Sequence, residues 1–548
     1  MTSEQTGVII LGAGPVGLTL ANELARHGVP PRIIDKAPGI REVSKAMILH
    51  VRTQEILDKT GIAARARAEA EPLREVVVHA YGKHIGRWNL DGIDSPYPHP
   101  LILGQNRTQH ALLDLLASRG VAVEWNTEAT ALSLDDGGAA VTLGGETVRA
   151  RFVVGCEGSN SLVRKTIGAS FEGARYSGEQ FIQADCRINW ALPSGRSYLF
   201  LTADGYMMVI EFPGGVVRIF ISLPDDAAAA GAKAAEHQLG AVESATETPA
   251  LEEVQHHLTR LSGFACTLSD PIWLARYRTS HRYADRFSQG HVFIAGDAAH
   301  VHVPIGGQGM NTGIQDAFNL GWKLAGVVKG ALHPDVLDTF HAERHPVAAG
   351  LIRGTNFAYR GILHPSEARQ HAARLFGPFL IRNEHVQNFM RGTLEELHID
   401  YPDSPLNLDL GGTRGPKPGE RVPDATLVRA SDHATLSINS LTRTTAWTLL
   451  LFGGTFPGGQ TVLAALADHV DTAFGGRIVP YVVLAASTPI TAVAPGCVLL
   501  DQLHLAHDRY GVSAPAFYLL RPDTYVGARG PVAAWDQLIA HLRLIFTA

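Results

Sequence analysis

Two glycine clusters, about 280 residues apart, constrain the fold of this 548-residue chain more than any other feature. The first follows Val8-Ile9-Ile10-Leu11, a continuous apolar run of the kind that forms a buried parallel strand. It reads Gly12-Ala-Gly14-Pro15-Val16-Gly17, and Pro15 suits the first turn of a helix. Leu18, Leu20 and Leu24 continue an apolar helical face until Gly28 stops it, and Arg32-Ile-Ile-Asp35 supplies a second strand. Gly12 permits the tight turn, Gly14 leaves room for a pyrophosphate, and Gly17 lets the helix pack on the strand. The helix N-terminus then faces negative charge. Asp35, at the end of the second strand, is placed to accept hydrogen bonds from a ribose diol. A bare G-x-G-x-x-G arises by chance in glycine-rich chains, but here strand, helix, strand and acid fall in the required order. The cluster specifies a dinucleotide without separating FAD from NAD.

The second cluster makes that separation. His291-Val-Phe-Ile-Ala295 reads as a buried strand ending at Gly296-Asp297. Pro304-Ile-Gly306-Gly307-Gln-Gly309-Met310-Asn311-Thr-Gly313 then opens a long helix, expected over 313–329. Asp297 suits a polyol. Amides near Gly309, Met310 and Asn311, with the helix dipole, suit the negative charge that a reduced flavin develops. Capping a helix needs one glycine, not five. An NAD dehydrogenase needs no second site of this kind.

Composition sets the class. Glycine is 56 of 548 residues, above the usual ~7%, yet glycine and proline together stay below the ~25–30% of low-complexity chains. These glycines are therefore placed. A chain of this length exceeds one hydrophobic core, so two or three domains are expected. The net charge of −6 leaves no electrostatic footprint for nucleic acid and no polybasic membrane patch. Cys156, Cys186, Cys266 and Cys497 lie far apart without a C-x-x-C, so neither a disulfide framework nor a zinc site is expected. A reducing cytoplasm fits that usage. Met1 to Gly7 lacks the Lys or Arg of a signal peptide, and no apolar run reaches 18 residues.

Helices are expected over 52–59 and 108–119, and a meander over 131–154. From about 176 to 273 the runs Tyr198-Leu-Phe-Leu, Tyr206-Met-Met-Val-Ile-Glu-Phe212 and Val216-Val-Arg-Ile-Phe-Ile predict an aromatic antiparallel sheet, and an Ala-rich helical stretch follows over 227–250. Five prolines between 402 and 423 read as a linker. Beyond it a strand from Trp447, a helix over 460–468, a strand over 480–485 and Ala516-Phe-Tyr-Leu-Leu make a small α/β domain.

The block Gly296-Asp-Ala-Ala-His-Val-His-Val-Pro-Ile-Gly-Gly-Gln-Gly-Met-Asn-Thr-Gly-Ile-Gln-Asp316-Ala-Phe-Asn319-Leu-Gly-Trp322-Lys-Leu324 resembles the signature of single-component FAD-dependent aromatic hydroxylases. These are the relatives of p-hydroxybenzoate hydroxylase and phenol hydroxylase, including the polyketide-tailoring hydroxylases. Ser44-Lys45-Ala46 with His50-Val-Arg52-Thr53 and Glu55-Ile-Leu57 resembles the family's segment near flavin and substrate. Gln105 resembles its flavin-contacting glutamine, and Glu343-Arg344-His-Pro346 its Glu-Arg-x-Pro. Leu520-Arg-Pro-Asp-Thr-Tyr-Val526 resembles the closing motif of members with a thioredoxin-like third domain. There are departures. Glu157 stands where the family has Asp, and Lys45 replaces an Arg, offering a point charge in place of a fork. Met47 matches the position of an active-site Asp in phenol hydroxylase and cannot act as a base. Gly527-Ala528-Arg529 departs from Ala-Trp-Arg.

The resemblance implies an α/β architecture: a Rossmann-like FAD-binding domain, an inserted antiparallel β-sheet substrate domain and a C-terminal thioredoxin-like domain without C-x-x-C. The expected boundaries are 1–175 and 276–402 for the FAD-binding domain, 176–275 for the substrate sheet, 403–424 for the linker and 425–548 for the third domain. It implies an NAD(P)H-dependent flavoprotein aromatic monooxygenase. NADPH or NADH acts as transient reductant, and O₂ adds at flavin C4a to give a hydroperoxide that hydroxylates a phenolic or polyketide-like ring. The cofactor-binding residues so implied are Gly12, Gly14, Pro15, Val16, Gly17, Asp35, Lys36, Lys45, Arg52, Gln105, Asp297, Pro304, Gly307, Gly309, Met310 and Asn311. Substrate contacts are expected at Met47, Tyr206, Met208 and Phe212. His50 is the candidate catalytic contact to a substrate hydroxyl, with a structural hydrogen-bonding role as the equal alternative. His341-Ala-Glu343-Arg-His345 lacks the H-E-x-x-H spacing, so no metal is expected and the segment reads as a surface helix. The expected partners are a small aromatic substrate and O₂, with a homodimer as a candidate assembly. Two alternatives stand beside this reading: a flavin protein that sequesters an aromatic ligand, and another flavin oxidoreductase on the same fold.

Overall fold

The computed structural model describes residues 6–43, 46–175, 179–224, 248–277, 280–302, 305–358, 367–454, 460–485 and 497–547. Lys45, Pro304 and most of the Ala-rich stretch at 227–250 lie outside them. Three large sheets organise the described residues, beside two three-stranded ones. The first is built on parallel strands in the order Val292–Ile294, Glu146–Gly155, Thr6–Leu11, Arg32–Ile34 and Val123–Glu124. Val8, Ile9, Ile10, Val153 and Val154 have no exposed surface, as continuous apolar runs in a parallel sheet require. The Val292–Ile294 strand pairs with Glu146–Gly155, and this register closes the two distant halves of the chain into one domain.

The long helix runs over Gln308–Val328, starting five residues before the expected 313. Glycines seat it. A Cβ on Gly313 would lie 2.6 Å from Val16 Cγ2, one on Gly296 2.7 Å from the same atom, and one on Gly321 2.6 Å from Glu23 Cγ. The second glycine cluster thus packs directly on the helix Pro15–Arg26 that the first one opens.

The second sheet has seven strands in the order Cys266–Tyr277, Glu179–Trp190, Val217–Pro224, Gly205–Glu211, Ser197–Thr202, Glu75–Ala80 and Lys83–Asn89. Its last two strands come from the segment assigned above to the FAD-binding part, so the substrate sheet draws on residues before 176. A parallel pairing of Ser197–Thr202 with Glu75–Ala80 recruits them. The third sheet sets Trp447–Phe452 parallel to Ile478–Ala485, itself parallel to Val498–Asp501, with the antiparallel pair Ala516–Leu520 and Val526–Pro531 alongside. The segment read as a linker is integral to this unit: Leu408–Asp409 is its edge strand, and Arg421 bridges to Tyr525. Among the described residues no helix is long and apolar enough to cross a membrane, and no group of His, Cys, Asp and Glu is arranged to hold a metal.

The helix Asp338–Ala358 is not the surface helix expected of its histidines. Glu343 and Arg344 are buried. Glu343 accepts from Lys323 Nζ at 2.7 Å, Asn319 Nδ2 at 2.7 Å, Arg521 at 2.6 and 2.9 Å and Ser404 Oγ at 2.5 Å. Burial alone would raise its pKa, but the charges of Arg521 and Lys323 hold it far below the usual carboxylate range. Its contribution is therefore present at neutral pH and is lost only in acid. Glu343→Gln leaves two buried cations short of a counter-charge, at a cost of about 3–5 kcal/mol. The expected outcome is a clear drop in melting temperature at pH 7 by calorimetry; an unchanged melt would remove the network from its structural role.

Candidate active site

The turn after the first strand is shaped as the sequence predicts. Gly12 has φ +103°, and a Cβ there would lie 2.5 Å from the Cys156 carbonyl oxygen. A Cβ on Gly17 would lie 1.9 Å from the Gly12 oxygen. Gly14 differs from both: its Cβ would meet nothing within 4 Å, because its backbone faces the open space of a cavity. Asp35 closes the turn by accepting from Ala13 N at 2.7 Å and Ala37 N at 2.8 Å.

The cavity holds about 560 Å³ and runs between the first two sheets. Asp35, Lys36 and Glu128 line one end; Gly14, Pro15, Val16, Gln105 and Asp297 the middle; Gly307, Gly309 and Met310 the stretch beyond. Lys36 Nζ lies 3.7 Å from Glu128. This arrangement fits FAD: an acid for the ribose, an open backbone cradle with a helix N-terminus for the pyrophosphate, and a second helix start for the ring. Glu157 also lines the cavity. Its Oε1 accepts from Ser161 Oγ and Val163 N, both at 2.9 Å, its Oε2 has no hydrogen-bond partner, and burial raises its pKa.

On the flavin side, the side chains of His50, Asn311 and Arg52 do not line the cavity. His50 is fully buried and does not line the cavity. Its Nε2 lies 2.8 Å from the Gly306 carbonyl oxygen and its Nδ1 3.3 Å from Glu396 Oε1, so it pins the flavin-facing loop from behind. The structural alternative for His50 is the one the geometry favours. Asn311 likewise holds this loop with its side chain, donating to Ile48 O at 2.9 Å and Gly307 O at 2.8 Å and accepting from His50 N at 2.9 Å. Arg52 points away from the cavity, donating to Glu55 at 2.9 Å and to Thr524 Oγ1 and Asp523 O at 2.8 Å. It clamps the third sheet through the two acceptors that Asp523 and Thr524 offer its terminal nitrogens.

At the far end the strands Glu179–Trp190, Gly205–Glu211, Val217–Pro224 and Cys266–Tyr277 contribute Gln183, Met208, Arg218, Phe220, Trp273 and Tyr277, with Met47 opposite. Tyr206 and Phe212 share strand parity with Met208 but lie beyond the cavity. Tyr206 packs on Phe181 and Phe220, and Phe212 lies under the Arg218 guanidinium at 5.2 Å. Sequence reasoning missed Gln183, Arg218, Trp273 and Tyr277. One signal was present: Arg218 interrupts an apolar strand, which a buried charge does only when paired. Its partner is Asp185, directly opposite in register, at 2.7 and 2.6 Å. His302, also missed, is the described imidazole that does line the cavity.

Two substitutions test the cofactor assignment. Gly14→Val projects a branched side chain into the cradle and should abolish FAD retention. Asp297→Ala should weaken it about tenfold or more, the cost of a charged hydrogen bond. The flavin absorbance per purified chain reads both, and a fully yellow Asp297→Ala protein would remove that residue from the site.

The FAD binding domain family matches residues 5–355. Pentachlorophenol 4-monooxygenase of Sphingobium chlorophenolicum is 30% identical over 554 residues, covering 98% of this chain and 96% of the relative. 6-methylpretetramide 4-monooxygenase of Streptomyces rimosus is 32% identical over 555 residues, covering 98% and 93%. Among solved structures, the anhydrotetracycline hydroxylase OxyS of Streptomyces rimosus superposes with a TM-score of 0.75 at 29% identity, covering 99% of both chains. The ternary complex of aklavinone-11 hydroxylase with FAD and aklavinone shares the fold at TM-score 0.75 and 23% identity, again covering 99% of both. With the cradle, the second helix start and relatives matched over almost their whole length, the chain belongs to the family of FAD-dependent aromatic monooxygenases.

Proposed function

We propose that this chain hydroxylates a phenolic or polyketide-like aromatic ring, using NAD(P)H and O₂. The supporting observation is one continuous cavity that joins the cofactor-fitting cradle to an aromatic chamber with a polar tip. Bound FAD supplies the redox chemistry, accepting hydride from NAD(P)H and activating O₂. The protein's own part is to orient the ring and exclude water, for which Met47, Met208, Phe220 and Trp273 provide apolar walls.

The polar tip is a directed chain. Asp185 neutralises Arg218. With its amide oriented so that every donor faces an acceptor, Gln183 accepts from Arg218 Nε at 2.9 Å and Nη1 at 3.1 Å and donates to the Tyr277 hydroxyl oxygen at 2.9 Å. The Tyr277 proton is then free for a ligand. Burial pushes the Tyr277 pKa up, so the phenol stays neutral and donates across the working pH range. A donor without net charge suits a phenol or ketone oxygen on the substrate better than a carboxylate. In this reading His302 takes the place of His50 as the imidazole within reach of the ring.

A turnover screen of simple phenols and oxygenated polycycles, following NAD(P)H loss, peroxide release and oxygenated product together, tests the proposal. Ligand binding without product would favour the sequestering alternative. Tyr277→Phe should raise KM by about tenfold, the loss of one hydrogen bond, and divert NAD(P)H oxidation towards peroxide with FAD content unchanged. Wild-type KM and coupling in that variant would remove Tyr277 from substrate contact.

A further inference from the structure

Gly306 and Gly307 both take left-handed backbone conformations, with φ +74° and +69°. Their carbonyl oxygens are held from behind the cavity, Gly306 O by His50 Nε2 and Gly307 O by Asn311 Nδ2, each at 2.8 Å. The negative ends of two peptide dipoles are thereby kept from the side that Gly307 and Gly309 present to the cavity. Turned the other way, they would oppose the negative charge of a reduced flavin. The Gly306 carbonyl can only accept, so His50 carries hydrogen on Nε2. Its Nδ1 faces Glu396 Oε1 at 3.3 Å and has no hydrogen-bond partner among the described residues. A proton between Nδ1 and Oε1 is required as well, because two facing lone pairs in a buried pair would repel. The ring is thus held in one orientation by a group on each side.

Glu396 is itself anchored. Its Oε2 accepts from Gln315 Nε2 at 2.6 Å and its Oε1 from Thr312 Oγ1 at 3.4 Å, both on the Gln308–Val328 helix. It ends the helix Glu384–Glu395 with φ +53°. Glycine meets that conformation without strain and a side chain does not, so a glutamate in this place points to a use for its carboxyl. The same helix is fastened to the edge of the substrate sheet. Gln387 Nε2 donates to Arg87 O and its Oε1 accepts from Asn89 N, both at 3.1 Å, and Arg391 donates to Asp91 O at 2.6 Å. We propose that Glu396 is a positioning residue of the flavin reaction: acting through His50, it sets the Gly306–Gly307 loop against the cofactor in register with the substrate sheet. The proposal rests on FAD occupying the cavity described above.

E396A leaves His50 without a partner on Nδ1. Glu396 also borders a second cavity of about 410 Å³, whose residues His398 and Asp400 are exposed, so water can fill the space that the variant opens. In E396A the FAD dissociation constant, from fluorescence titration of the apoprotein, should rise about tenfold, the loss of one buried hydrogen bond to a charged group. The kcat of substrate-stimulated NAD(P)H oxidation should fall by a similar factor, with KM for the aromatic substrate unchanged. E396Q offers an N–H to Nδ1 and keeps an acceptor for Gln315, so it should restore both quantities to within about threefold of the wild type. H50A should reproduce E396A, and E396A/H50A should be no worse than H50A, because a residue that acts through another adds nothing once that other is gone. Wild-type FAD affinity in E396A overturns the proposal, as does an E396Q protein as impaired as E396A, or additive losses in the double variant. Should E396A not fold, unchanged FAD affinity in H50A overturns it equally. A wild-type chain that takes up no FAD would overturn the cofactor assignment itself, which separates the two failures.

Discussion

The structure depends on one buried carboxylate. Glu343 sits among Lys323, Arg521 and Asp523 with almost no access to water, and the four charges sum to zero. Asp523 also accepts from Trp322 Nε1 at 3.1 Å and Asn319 Nδ2 at 3.3 Å. These residues come from the Gln308–Val328 helix, the helix that follows it and the strand-end segment of the third sheet, with Ser404 joining from the region between. Desolvating four ions is costly, and the cost is recovered only when all of them meet. None of these segments can slide without stranding a charge, so the network fixes geometry more than it adds stability.

What it fixes is the axis of the Gln308–Val328 helix, whose first turn lines the cavity. The front of that helix is held by a second set of buried bonds. Asp316 accepts from Gly296 N at 3.0 Å, His300 Nε2 at 2.7 Å and Arg344 Nε at 2.6 Å. Burial alone would raise the Asp316 pKa, but the Arg344 and His300 charges lower it and keep the carboxylate ionised. Glu343 and Arg344 are adjacent in sequence yet serve opposite ends of one helix, because successive residues on their own helix point about 100° apart. Val16, wedged between Gly296 and Gly313, then transmits that position to the pyrophosphate turn.

The parts legible in sequence were those set by local rules. A strand, a glycine turn and a helix follow from neighbours along the chain, so Gly12 to Asp35 and the start of the second cluster were placed to within a few residues. The residues misplaced were those whose direction depends on distant partners. His50 and Arg52 lie beside cavity residues in sequence, but Glu396 and Thr524, each more than 300 residues away, decide where their side chains point. On the substrate sheet, Met208 lines the cavity, whereas Tyr206 and Phe212, on the same side of the chain by alternation, do not. The extent of the cavity along each strand follows from the pairing of seven strands, and local pattern carries no information about that.

Two buried arginines, Arg218 lining the cavity and Arg52 pointing away from it, are both already engaged. Arg52 is claimed by Glu55 and the third sheet, and Arg218 by Asp185. Neither offers a free guanidinium. At the Gly14 turn the open backbone and the N-terminus of the helix Pro15–Arg26 supply partial positive charge to the cavity. Arg52 acts through the fold: from the helix Val51–Thr60 it bonds Asp523 O and Thr524, while Arg521 bonds Glu343 on the helix Asp338–Ala358, so the third sheet is tied to two helices from the rest of the chain. The strand-end segment of the third sheet thus holds those two helices by buried ion pairs and hydrogen bonds, a task that requires no thiol chemistry.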